Sequence, residues 1–334
     1  MLKLGILDQS HIPEGGSAQD ALSNTTDLAR EADQLGYSRY WVSEHHASKT
    51  LAHSSPEVLI AHLAAHTSRI RVGSGGIMLP HYSAYKVAEN FRLLEALHPG
   101  RIDLGIGRAP GGLPLATRAL QEGKYQAVEQ YPQQILDLID YFHDSVPDNH
   151  RFAGLHASPM ISTVPELWLL GSSGESARLA AMMGASYAFA QFFGTPGGVE
   201  ATARYHEQFM PSILGDKPHS MAAVTVACAE TEEEAEQLAS SASLYFLLLM
   251  QGKEMNSLPS VKTAMSYPYT EFDRERLRQS AAWRVVGTPE QCKEQLLRLA
   301  EQYRTDELLV VSSIHDFNKR VQSYRLLAKA FNLV

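Results

Sequence analysis

The chain has 334 residues, 44% of them hydrophobic and 20% charged, an ordinary globular composition. Its 29 basic against 37 acidic residues give a net charge of −8 without a basic stripe, which argues against nucleic acid as a partner. Cys228 and Cys292 have neither metal-ligand spacing nor a disulfide framework, Asp8 and Glu14 interrupt any signal-peptide core, and glycines and Pro196 break the uncharged stretch 179–199, so the expectation is a cytoplasmic protein without a membrane span.

Leu2 to Asp8 reads as a first strand, followed by a Pro/Gly loop at 12–16. Ser17 with Asp20 forms a capping box, apolar residues recur at helical spacing from Ala18 to Leu35, and Gly36 stands at the C′ position. A strand at 39–43 ends in Glu44-His45-His46, and a helix follows over about 57–67. A third strand spans 70–79 and contains Gly73-Ser74-Gly75-Gly76; a helix covers 84–97. The fourth strand, 101–106, runs into Gly107-Arg108-Ala109-Pro110-Gly111-Gly112. A long helix is predicted over 124–143 and an irregular connection over 144–165.

The strand at 166–170 stops at Gly171-Ser172-Ser173-Gly174 before a helix over 175–183. Strands at 185–190 and 221–229 follow, each with a helix behind it (199–209 and 232 to about 250). After 251–283, too long for an ordinary loop and predicted to be a lid or mobile insertion, come a helix over 289–303, a strand at 307–312 and a helix over 317–331. Eight strands alternating with helices predict one α/β domain over 1–334, a (β/α)8 TIM barrel whose chemistry sits at the C-terminal strand ends.

Those ends carry the candidate groups. Glu44-His45-His46 can be read as a metal site, an acid/base pair or a structural contact. Zinc and similar ions need three or four convergent ligands, whereas a single imidazole titrates near neutrality and suffices for proton transfer. His62 and His66, four apart on a helix, have the spacing of two ligands but no evident third, which fits a plain helix surface. The run Gly105-Ile-Gly107-Arg108 fails as a dinucleotide fingerprint, because the third glycine comes one residue late and no acidic residue is placed for the ribose. Its glycines and Arg108 nevertheless suit an anion. The loop Gly171–Ser176 opens a helix and offers amides and hydroxyls to phosphate, while Ser172 and Glu175 also fit a simple capping box. If phosphate binds there, Glu175 is expected to face away. Gly75-Gly76 permits a tight turn or the close approach of a flat ligand to the main chain.

Five ordered motifs carry a resemblance that covers nearly the whole chain. They are Trp41–His46, Val72–Pro80, Arg101–Arg108, Gly171–Ser176 and Val286–Glu290, and together they resemble the bacterial luciferase-like flavin monooxygenases, in the single-chain, non-luminescent branch. The resemblance implies a luciferase-like barrel that binds FMN, with His45 as the catalytic histidine and Glu44 and His46 beside it. It implies that Gly75-Gly76 form a non-prolyl cis peptide under the isoalloxazine. It assigns the flavin phosphate to Arg108 with Ser172, Ser173 and Ser176. Gly107 stands where the luciferase catalytic subunit has a cysteine, which argues against light emission.

The activity so implied is a two-component monooxygenase. A separate flavin reductase supplies reduced FMN as co-substrate, and a C4a-peroxyflavin attacks a small organic substrate. Tyr82, Trp168, Phe189, Phe192 and Phe193 are candidates to line its pocket. A homodimer is the family expectation. The alternatives are a deazaflavin-dependent hydride-transfer enzyme on the same barrel, a flavin-binding protein without catalysis, and a metal hydrolase.

Overall fold

Side chains alternate in and out along the first strand: Leu4 and Ile6 pack outward beneath helices, while Leu7 turns inward toward Trp41 and Leu309. The same alternation in seven further parallel strands makes two apolar layers, and a sheet buried on both faces closes on itself. In the computed structural model, which describes residues 2–122 and 128–333, the barrel strands are β1 (Lys3–Asp8), β2 (Arg39–Val42), β3 (Arg71–Met78), β4 (Ile102–Gly107), β5 (Glu166–Gly171), β6 (Ser186–Phe189), β7 (Ser220–Cys228) and β9 (Glu307–Val311). Each pairs with the next in parallel register, and β9 returns to β1 to close the ring. This is the expected (β/α)8 barrel.

A ninth strand, β8 (Arg284–Gly287), was not anticipated from the sequence. Thr225 on β7 pairs with Val311 of β9 on one edge and Arg284 of β8 on the other, so β8 continues along the edge that β6 leaves free.

The helices are α1 (Ala18–Gln34), α2 (Pro56–Ala65), α3 (Ala84–Leu97), α4 (Pro114–Gln121), α5 (Tyr131–His143), α6 (Gly174–Met183), α7 (Gly198–Gln208), α8 (Glu232–Met250), α9 (Val261–Ser266), α10 (Glu271–Ala281), α11 (Pro289–Gln302) and α12 (Phe317–Phe331). The Ser17/Asp20 capping box of α1 forms as read. The helix predicted over 124–143 starts in residues outside those described; its described part is α5, preceded by a short 3₁₀ turn. The helix α4 was not foreseen, and none of its residues is buried, which removes the core-facing periodicity by which a helix is recognised. Among the described residues, no helix is long and apolar enough to cross a membrane.

The segment 251–283 is structured, holding α9 and α10. Leu258 exchanges main-chain hydrogen bonds with the loop after β1, donating to the Ile12 carbonyl (2.7 Å) and accepting from Glu14 N–H (2.9 Å). The Glu14 carboxylate then accepts from Ser260 N–H (2.7 Å) and the Thr263 hydroxyl (2.9 Å) at the start of α9.

Two buried charge networks fix the strand ends. At the N-terminal end of the barrel, Arg39 reaches Asp103 (2.7 Å) and Glu307 (2.8 Å), and Arg71 reaches Asp103 (2.6 Å) and Glu166 (3.3 Å). Trp41 donates its indole N–H to Asp103 at 2.8 Å, and His219 lies 3.4 Å from Glu166 and 3.7 Å from Glu307. At the C-terminal end of β1, Asp8 accepts from Arg320 (2.6 Å), the Tyr40 (2.6 Å) and Thr25 (2.8 Å) hydroxyls, and Ser10 N–H (2.9 Å). Burial alone would raise the Asp8 carboxyl, but Arg320 and the hydrogen bonds outweigh it and hold the group well below the usual carboxylate range.

Candidate active site

The C-terminal strand ends surround a cavity of about 590 Å³. Its floor is the inner apolar layer: Leu7, Trp41, Ala188, Ala223 and Leu309. Eight of the residues singled out for chemistry in the sequence line it: Glu44, His45, Gly75, Gly76, Arg108, Ser172, Ser173 and Ser176. They come from β3 itself and from the loops after β2, β4 and β5, so these groups occupy half the ring.

The Gly75–Gly76 peptide is cis, as the resemblance implied. A Cβ on Gly76 would meet the Gly105 carbonyl oxygen at 2.7 Å and run into Leu170. Only glycine leaves that wall flat.

The anion features lie on one side. The N-cap of α6 is Ser173, one residue later than the predicted Ser172, and no side chain caps the helix. The capping box between Ser172 and Glu175 therefore does not form, and the amides of the first turn keep no side-chain partner. The Ser176 hydroxyl donates 2.9 Å to the Ser173 carbonyl, closing the loop on itself. Arg108 is exposed and makes no ion pair among the described residues. An uncapped helix N-terminus beside a guanidinium fits a phosphate group.

Glu175 does not turn away. It lines the cavity, and its carboxylate is held by Arg178 at 2.8 Å, a lining cation that the motif reading missed. That ion pair offsets the charge that would otherwise face an anion.

Opposite stand the β2 residues. His45 is half-buried; burial pushes its imidazole below the ordinary histidine value, the Glu44 charge opposes that, and His46 adds to it. The ring is therefore neutral at pH 7, able to accept a proton at one nitrogen and donate at the other.

Glu44 is fully buried and both its oxygens are occupied. Oε1 accepts from His46 Nε2–H (2.7 Å) and the Tyr82 hydroxyl (2.8 Å), and Oε2 accepts from Met78 N–H (3.0 Å). Through these bonds Glu44, named in the sequence beside His45, ties the ends of β2 and β3 together. Behind His45, His11 and His53 have no hydrogen-bond partner on either ring nitrogen among the described residues. Burial carries them down to about 3 and about 4, so both stay neutral, and neither belonged to a recognisable motif.

Of the aromatic candidates, Phe189, Phe192 and Phe193 line the cavity. Trp168 and Tyr82 are absent from its described walls: Trp168 is buried in the barrel against Trp41 and Arg39, and Tyr82 serves Glu44. No residue of 251–283 is among the described lining either. Gln9 at the end of β1 lines the wall without having been predicted. His62 and His66 lie on α2 and its C-cap, where His62 contacts the Thr26 hydroxyl (3.2 Å) and His66 Nδ1–H donates to the His62 carbonyl (2.8 Å). Among the described residues, no group of three or more His, Cys, Asp or Glu side chains is arranged to hold a metal ion.

Comparison with known proteins follows the same outline. A family profile described as luciferase-like monooxygenase matches residues 2–306. The uncharacterized protein YwcH of Bacillus subtilis is 54% identical over 331 residues, covering 99% of both chains. An N-acetyl-S-alkylcysteine monooxygenase of the same organism is 40% identical over 331 residues, covering 99% of this chain and 98% of that one. Among solved structures, apo-MsnO8 superposes with a TM-score of 0.89 at 38% identity, covering 100% of this chain and 99% of the other. The FMN complex of the oxygenating constituent of 3,6-diketocamphane monooxygenase from Pseudomonas putida shares the fold at a TM-score of 0.71 and 20% identity, covering 99% of this chain and 97% of the other.

Proposed function

The chain belongs to the luciferase-like monooxygenase family, and from that premise we propose that it is an FMN-dependent monooxygenase of the two-component type, taking reduced FMN from a separate flavin reductase and oxidising a small organic substrate with O2. The observation that carries this reading is the convergence of an anion clamp, a flat glycine wall and a neutral imidazole on one cavity of about 590 Å³.

Each part has a physical task. Arg108 and the uncapped amides of α6 hold the flavin phosphate, with Ser172 and Ser173 as further donors. For Ser176 to join them, its hydroxyl must turn from the Ser173 carbonyl. Gly75 and Gly76 let the isoalloxazine lie against main chain. The apolar floor and the phenyl rings of Phe189, Phe192 and Phe193 exclude water from the reacting edge. The chemistry supplied by bound reduced FMN is two-electron activation of oxygen. His45 accepts or returns a proton at its imidazole nitrogen, and Glu44 keeps the β2 and β3 ends in register for it.

The named activity of the 40%-identical relative suggests starting the substrate screen with N-acetyl-S-alkylcysteines. We propose a homodimer working in the cytoplasm; sedimentation at micromolar protein tests the first, and cell fractionation the second.

The deciding experiment is oxygen consumption by purified protein given reduced FMN, with a stopped-flow spectrum beside it. Faster flavin oxidation than without protein, through a transient absorbance, supports the proposal. FMN binding with no oxygen chemistry sinks it in favour of a flavin-binding protein. No FMN binding, with binding of a deazaflavin, moves the protein to hydride transfer.

A further inference from the structure

Arg108 sits on an exposed loop, and an exposed guanidinium grips phosphate well only if its backbone is held. The loop 108–112 has two kinds of tether. His46 N–H donates to the Gly111 carbonyl at 2.8 Å, and His46 forms a parallel bridge with Gly112. The second tether is a side chain: His81 Nε2–H donates to the Pro110 carbonyl at 2.8 Å. Pro110 has no N–H to offer a neighbouring strand, so its carbonyl is the main-chain handle two residues from Arg108.

His81 is itself rigidly mounted. It is 6% exposed and ends the 3₁₀ turn Leu79–His81 that follows β3, with its ring edge-on to His46 (5.8 Å) and Tyr82 (6.1 Å). Tyr82, the next residue, donates to Glu44, which also takes Met78 N–H at the start of the turn. The loop has little room to drift in that direction: a Cβ on Gly111, at φ +61°, would lie 3.0 Å from the Met78 side chain and 3.1 Å from the Glu44 carbonyl.

We propose that His81 is a positioning residue for the phosphate clamp: its imidazole fixes the Pro110 carbonyl and thereby aims Arg108 at the phosphate. The inference rests on the FMN reading above and adds to it a residue outside the motifs that carry the family resemblance. His81 does not line the cavity and reaches it through the loop main chain that carries Arg108, so it matters more for a phosphorylated flavin than for the ring system.

The test compares FMN with riboflavin, each titrated as the oxidised form by fluorescence, in wild type, Arg108→Ala, His81→Phe and His81→Gln. Wild type should prefer FMN, and Arg108→Ala should cut the preference more deeply than any His81 variant. His81→Phe should lower the FMN-to-riboflavin preference about three- to tenfold, the worth of one hydrogen bond, with riboflavin affinity unchanged. His81→Gln, whose amide N–H can donate to the same carbonyl, should restore most of it. An unchanged preference in His81→Phe, or an equal weakening for both flavins, overturns the inference while leaving FMN binding intact. Failure of wild type to bind FMN overturns the flavin reading itself and this inference with it.

Discussion

Replacing His219 by glutamine should remove a pH-dependent part of the stability of the fold. Three carboxylates, Asp103, Glu166 and Glu307, meet two guanidiniums, Arg39 and Arg71, at the N-terminal end of the barrel. One positive charge is missing, and the His219 ring beside Glu166 and Glu307 supplies it when protonated. Burial opposes that charge, but the two carboxylates outweigh it and lift the imidazole to about 9 from an ordinary 6.5. A shift of that size corresponds to about 3 kcal/mol if fully expressed. The ring is 36% exposed and its contacts exceed 3.3 Å, so solvent screening reduces the expectation to about 1–2 kcal/mol.

Because the folded-state pKa is the raised one, this stability is fully present below about pH 6.5 and is lost as pH rises through 9. Urea midpoints at pH 6, 7.5 and 9.5 should show His219→Gln weaker than wild type by about 1–2 kcal/mol at pH 6 and nearly equal at 9.5. Equal pH slopes for the two proteins between 6.5 and 9 would refute the charge argument.

Three further outcomes are expected. His45→Ala should bind FMN with nearly wild-type affinity in a fluorescence titration yet form no product under single turnover; weakened binding with normal turnover per bound flavin would contradict the role given to its imidazole. Gly76→Ala pushes a Cβ against the Gly105 carbonyl and Leu170, and should cost about 1–3 kcal/mol in chemical denaturation while also weakening flavin binding. Arg320→Met leaves Asp8 buried with three neutral donors and no counter-charge, and a loss of about 3–5 kcal/mol is expected from thermal melts at pH 7. Retention of wild-type stability would mean that water or a neighbouring group replaces the guanidinium.

What could be read from the chain divides by distance. Signals confined to a few consecutive residues were legible: the Ser17/Asp20 capping box and the first strand stand where expected, while the cis Gly75–Gly76 peptide was implied only by the family resemblance. The clustering of eight site residues was legible too, since a barrel brings its C-terminal strand ends together whatever lies between them. Position within a loop was harder. The α6 cap falls at Ser173, because a Ser-Ser pair offers two registers and only the tertiary path chooses. Glu44 was visible as a carboxylate beside two histidines, but its hydrogen bonds run to Met78 and Tyr82, more than thirty residues on. The strand β8 is four residues long and alternates only twice, too little to stand out from the insertion that it directly follows. Segment 251–283 was identified by its length, which says nothing of the surface it covers.

The separation of the two barrel ends bears on how the enzyme can be altered. The salt-bridged N-terminal end helps hold the molecule together without contributing a wall to the cavity. Phe192, Phe193 and Gln9 line the cavity from β6 and β1 loops outside the phosphate clamp. Libraries confined to those three positions can reshape what the cavity admits while the charge network at the far end keeps the melting temperature nearly constant. A breeder of new oxygenases therefore has a dial and a chassis in one chain, and can turn the first without loosening the second.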